Sequence, residues 1–110
     1  MTPAERAWKL LADHLTPEQR ADLATKHYFD VVTSGERRWR VSRKRADFNI
    51  QLKSNGRHKE LPTNGIGNII YVNQVICVDI SRSYRRGDRL LAQKLALESD
   101  ELTLLNLANT

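Results

Sequence analysis

One helix start is written twice in the first twenty residues, as Thr2-Pro3-Ala4-Glu5 and as Thr16-Pro17-Glu18-Gln19. Each has threonine at the cap, proline at the first helical position, and an acid or amide three residues after the cap. The threonine hydroxyl accepts from that third residue's N–H, and the third side chain reaches back to the cap's own N–H. Proline loses nothing there, because its missing N–H has no helical partner. Ala4, Ala7, Trp8, Leu11 and Leu15 form one stripe on the first helix, whereas the second offers only Ala21, Leu23 and Ala24. The pair reads as a helical hairpin.

From His27 the period falls to two. Phe29 and Val31 alternate with Asp30, and Thr33-Ser34-Gly35-Glu36 makes a turn. Trp39 and Val41 alternate with Arg38 and Arg40, and Phe48, Ile50 and Leu52 alternate with Asn49, Gln51 and Lys53. Paired strands of this kind carry one apolar face and one cationic, amide-rich face. Asn55-Gly56 is a turn signal. Two apolar strands are expected near 68–72 and 75–80, with Asn73-Gln74 as the turn; being apolar on both faces, they should be central or covered by a partner. Asp88 caps a helix carrying Leu91, Leu95 and Glu98, and Ser99-Asp100-Glu101 opens another with Leu102, Leu105 and Ala108.

The expected fold is therefore α+β, as one domain over residues 1–110. It has an N-terminal helical hairpin, a mainly antiparallel sheet of four to five strands, and one or two C-terminal helices. Its expected core is Trp8, Leu11, Phe29, Val31, Trp39, Phe48, Ile50, Ile76, Val78, Leu91 and Leu95. A chain of 110 residues buries roughly two-thirds of its unfolded surface, enough for one core without staples.

The charge is unevenly spread. Residues 28–60 hold nine Lys/Arg against four Asp/Glu, residues 1–27 are balanced, and residues 91–110 are net acidic. The formal net charge of +5 thus resides in the middle of the chain, which points to a polyanionic partner. Its centre is Arg37, Arg38, Arg40, Arg43, Lys44 and Arg45 around Trp39, extended by Lys53 and Arg57. A second cluster, Arg82, Arg85 and Arg86, surrounds Tyr84. Arginine outnumbers lysine twelve to six, and its planar fork suits phosphates and guanine edges. An aromatic among arginines suits base stacking.

The last third is similar to uncharacterised short proteins of phage and prophage genomes. The similarity rests on Asp88, Leu91-Ala92-Gln93-Lys94-Leu95, Leu97-Glu98, Asp100-Glu101, Leu104-Leu105 and Ala108-Asn109. It extends to Phe29 and Val31, and to Gly35, Arg38, Trp39 and Arg40. Proline often precedes the helical aspartate in that pattern; Gly87 stands there in this chain. The resemblance implies a phage-borne origin and brings no catalytic role.

Catalytic and metal chemistry find no footing in the residues. His14, His27 and His58 lack a second ligand at metal-binding spacing, and one cysteine, Cys77, cannot complete a zinc set. Gly65-Ile66-Gly67 opens no dinucleotide loop, and neither a phosphate loop nor a nucleophile elbow is present. Glu98, Asp100 and Glu101 read as a solvated helix junction, and Asp79 as a strand-end acid. No cofactor and no catalytic residue are expected. The lone thiol and the lack of a signal or membrane-spanning segment suggest a cytoplasmic protein. Two functions remain: nucleic-acid binding through the cationic face, or a module that binds and inhibits or redirects a host protein. The leucine surplus after Gly87 suggests a homodimer.

Overall fold

The computed structural model describes residues 1–44, 48–78 and 85–110. Both twin caps form as the sequence dictates. In helix α1 (Pro3–His14) the Glu5 N–H donates to the Thr2 hydroxyl, and in α2 (Pro17–Lys26) the Gln19 N–H donates to that of Thr16. Arg20 ties the two together by donating from Nε to the Ala12 carbonyl (3.2 Å) and from Nη2 to that of Leu15 (3.3 Å). This gives the Leu15 carbonyl a donor and adds a second to the Ala12 carbonyl, which already accepts from the Leu15 N–H.

Strands β1 (Tyr28–Val32), β2 (Arg38–Ser42), β3 (Ile50–Ser54), β4 (Val75–Val78) and β5 (Ala108–Asn109) form one antiparallel sheet in sequence order. Helices α3 (Arg86–Ser99) and α4 (Glu101–Asn106) lie between β4 and β5 in the chain. Helix α3 packs on β1 and β2, α1 packs on α3, and α2 packs against β1. The helices thus cover one face of the sheet, where Phe29, Val31, Trp39, Val41, Ile50, Leu52, Ile76 and Val78 join Leu11, Leu90, Leu97, Leu104 and Leu105 in one buried cluster. Edge strand β1 is protected by α2: Gln19 Nε2 donates to the Asp30 carbonyl at 2.8 Å. No helix among the described residues is long and apolar enough to cross a membrane.

Five expectations about the core and the elements are corrected. Phe48 is 44% exposed. It precedes β3 with φ +50°, and this left-handed backbone removes it from the alternation that buries Ile50 and Leu52. Leu95 is equally exposed, because the buried stripe of α3 runs through Gly87, Leu90, Leu91, Gln93, Lys94 and Leu97. Residues 68–72 form no strand: a single Thr63–Ile69 bridge stands there, and Ile70 is their buried apolar side chain. The turn at Asn73-Gln74 does form, with the Gln74 N–H donating to the Tyr71 carbonyl. Strand β4 is half-buried and not apolar-covered on both faces: Ile76 and Val78 point inward, while Val75 and Cys77 lie on the open face. The expected helix through Ala108 ends early and gives way to β5.

A polar bridge that the periodicity does not announce fixes α3 to the sheet. The Asn49 amide donates to Gln93 Oε1 at 2.8 Å, and the Gln93 amide donates to Asn49 Oδ1 at 3.0 Å and to the Val78 carbonyl at 3.3 Å. Both residues are buried. Reciprocal bonding makes their burial tolerable, since each polar atom would otherwise be desolvated without a partner.

Candidate functional site

Alternation along β2 buries Trp39 and turns Arg38 and Arg40 to the face opposite the helices. Antiparallel register then sets Asp30, Arg40, Gln51 and Val75 in one row across four strands. Arg40 donates from Nε and Nη2 to the two carboxylate oxygens of Asp30 (2.9 and 3.3 Å), and its guanidinium lies 3.9 Å above the Tyr28 ring. The hydrogen bond to Asp30 is the main reason that the Arg40 pKa is raised. Arg38 is 3.8 Å from the same carboxylate and is half exposed. One acid therefore faces two arginines, and this part of the sheet remains positive.

At the end of β2 the chain leaves as Arg43 and Lys44. Arg43 lies over the Trp8 ring, 5.0 Å from its centroid, and its carbonyl accepts from Arg86 Nη1 at 3.3 Å. Arg85, beside Arg86, is the cap residue of α3, which corrects the expected cap at Asp88: the helix begins at Arg86, so Asp88 lies inside its first turn and no side chain caps it by a hydrogen bond. Four cations from two segments some forty residues apart thus meet at one end of the molecule. Among the described residues, none of the four forms an ion pair with a carboxylate.

The remaining expected site residues are dispersed. Arg37 is largely buried and structural: Nη1 lies 2.9 Å from Glu101 Oε1, and Nε donates to Asn55 Oδ1 at 2.8 Å. Arg57 pairs with Glu36 in exposed loops. Both flank the opposite end of β2 from Arg43, roughly 20 Å away at the rise of an extended strand. Lys53 stands on the open face at a register slip between β2 and β3 and donates to Asn73 Oδ1 at 2.9 Å. Arg45 and Arg82, with Tyr84 and Asp79, lie outside the described residues.

The acidic cluster stands at a helix junction as expected, but it is not solvated throughout, because Glu101 is largely buried in its pair with Arg37. Glu98 pairs with Lys94, Asp100 caps α4 through Thr103, and Glu101 holds Arg37. The histidines also have local roles: His14 Nδ1 faces the Leu10 carbonyl, His27 closes α2 in the left-handed region, and His58 Nε2 faces the Gly35 carbonyl. Among the described residues no three His, Cys, Asp or Glu converge as metal ligands would.

Two features escaped the sequence reading. A hollow of about 320 Å³ opens on the sheet's uncovered face, bordered by Tyr28, Arg40, Ser42, Phe48, Gln51 and Val75. Tyr28 was legible, since it continues the outward alternation of Asp30; the outward turn of Phe48 left no signal. The second feature is an apolar loop in which Ile66, Ile69, Tyr71 and Val72 are all exposed, Ile66 at 83%.

No family model matches the chain, and no curated protein or solved structure matches it significantly.

Proposed function

We propose that this protein binds nucleic acid through the uncovered sheet face and the cationic end beside it. The observation that carries the reading is the convergence of Arg43, Lys44, Arg85 and Arg86 without carboxylate partners among the described residues. Arg38 and Arg40 continue the positive surface, sharing Asp30 between them. Charges gathered in this way suit neighbouring phosphates, whose binding releases condensed counterions. The resemblance to short phage and prophage proteins gives the setting: a phage-borne protein acting in a host cytoplasm.

Fluorescence anisotropy on duplex and single-stranded probes at two salt concentrations tests the reading. Affinity falls with salt at a log–log slope of about −0.9 per phosphate contacted on duplex and about −0.7 on single strands. Arg43→Glu combined with Lys44→Glu weakens binding and flattens the slope, while Arg57→Glu at the far end leaves both unchanged. Absence of binding at low salt refutes the proposal.

The exposed Ile66, Ile69, Tyr71 and Val72 favour a second reading, in which the chain docks on a host protein. That reading expects a complex that survives nuclease treatment and is lost in an Ile66→Ser, Tyr71→Ser variant.

A further inference from the structure

Four described non-glycine residues have positive φ: His27, Glu36, Phe48 and Asn73. Three have local reasons. His27 caps α2, Glu36 lies in the turn closed by its N–H to the Thr33 carbonyl, and Asn73 lies in the β4 turn. Phe48 is different, because a bulky aromatic in the left-handed region is a genuine outlier. Burial does not reward it: the residue is 44% exposed, while the next one, Asn49, is buried against Gln93. The backbone thus sets an aromatic side chain at the border of the open-face hollow. Outliers of this kind concentrate at binding sites.

The polar groups around the hollow are already fixed. Asp30 engages Nε and Nη2 of Arg40, and the Tyr28 ring supports the guanidinium, so Nη1 has no hydrogen-bond partner among the described residues. The Gln51 amide nitrogen donates to the Asn73 carbonyl at 2.8 Å, which leaves its Oε1 as an acceptor. Ser42 Oγ accepts from the Lys44 N–H and keeps a hydroxyl proton to donate. At about 320 Å³ the hollow is at the small end of ligand sites, which run from about 300 to 1,000 Å³. It suits one planar ring system with donors and acceptors on its edge.

We propose that this hollow receives one unpaired nucleobase of a single strand. Phe48 is the stacking surface, Arg40 and Gln51 meet the base edge, and Arg43 and Lys44, which follow Ser42 in the chain, meet the flanking phosphates. The inference rests on the nucleic-acid reading and adds that the preferred substrate is single-stranded, because a base in a duplex presents no free face to an aromatic ring.

The test compares three labelled probes of about ten nucleotides, as DNA and as RNA: a single strand, its duplex, and a single strand of abasic sites. The wild-type protein binds the intact single strand most tightly. Phe48→Leu keeps apolar bulk without a stacking face; it lowers affinity for that strand roughly 5- to 140-fold, the range for one lost base–aromatic stack. It leaves the abasic strand unchanged, and Phe48→Tyr restores binding. Melting curves for both variants verify the fold. Salt-dependent binding that Phe48→Leu leaves intact, or weakens equally on all probes, overturns the stacking inference and leaves the nucleic-acid reading standing. A wild-type protein that binds none of the probes overturns both.

Discussion

Replacing Gly87 by alanine tests the packing of α3 on α1 against what helix propensity expects. Gly87 is the second residue of α3, and within a helix alanine is worth roughly 0.5–1 kcal/mol over glycine. The sequence therefore expects Gly87→Ala to stabilise. In the structure a Cβ at this position would lie 2.8 Å from the Ala7 carbonyl carbon, 2.9 Å from its oxygen and 2.9 Å from the Trp8 nitrogen. All three are backbone atoms, so no side chain can rotate away, and α1 as a body must retreat. Overpacking of this kind costs about 1–3 kcal/mol. Offsetting the propensity gain leaves a net loss of up to about 2.5 kcal/mol, or a melting temperature lower by up to roughly 10 °C for a chain of this size. Chemical denaturation monitored by circular dichroism at fixed pH measures it. A variant more stable than the parent would show that the two helices do not touch at Gly87.

Three further perturbations probe other parts of the fold. Gln93→Leu leaves the buried Asn49 Oδ1 without its donor, while Nδ2 keeps the Ser42 carbonyl, and costs about 1–3 kcal/mol by urea denaturation. Adding Asn49→Leu costs less than the sum of the two single changes, and strict additivity refutes the reciprocal bond. Glu101→Ala strands Arg37, whose side chain is 12% exposed; the loss is about 3 kcal/mol, the low end for a broken buried pair, because the Asn55 bond remains. The Asp100 carboxylate, hydrogen-bonded by the Thr103 hydroxyl and then by the Thr103 N–H, has its pKa lowered from 3.8. A depressed folded-state pKa means that its stabilisation is fully present above about pH 4 and is lost as pH falls through the folded value. The stability difference between the parent and Asp100→Asn shrinks across that window; a difference flat from about pH 6 to about pH 3 contradicts the cap.

Local chemistry determined the elements whose signals are local. Twin Thr-Pro caps specified α1 and α2 because every atom of a capping box lies within four residues. Period-two alternation assigned Trp39, Val41, Ile50 and Leu52 to the core and Arg38 and Arg40 to the open face, since register fixes the side on which a side chain stands. Only tertiary structure decided the rest. The rotation of α3 is governed by a bond between residues 44 apart, Asn49 and Gln93, so two polar residues face inward and Leu95 faces out. A positive φ at Phe48 overrode an alternation that read as core. The continuous cationic run from Arg37 to Arg45 was divided because its members meet different distant partners. Glu101 draws Arg37 into a buried pair, Asp30 takes Arg38 and Arg40, and Arg86 joins Arg43 at the far end. Sequence counts charges, but only the fold decides which of them find a carboxylate and which, among the described residues, do not.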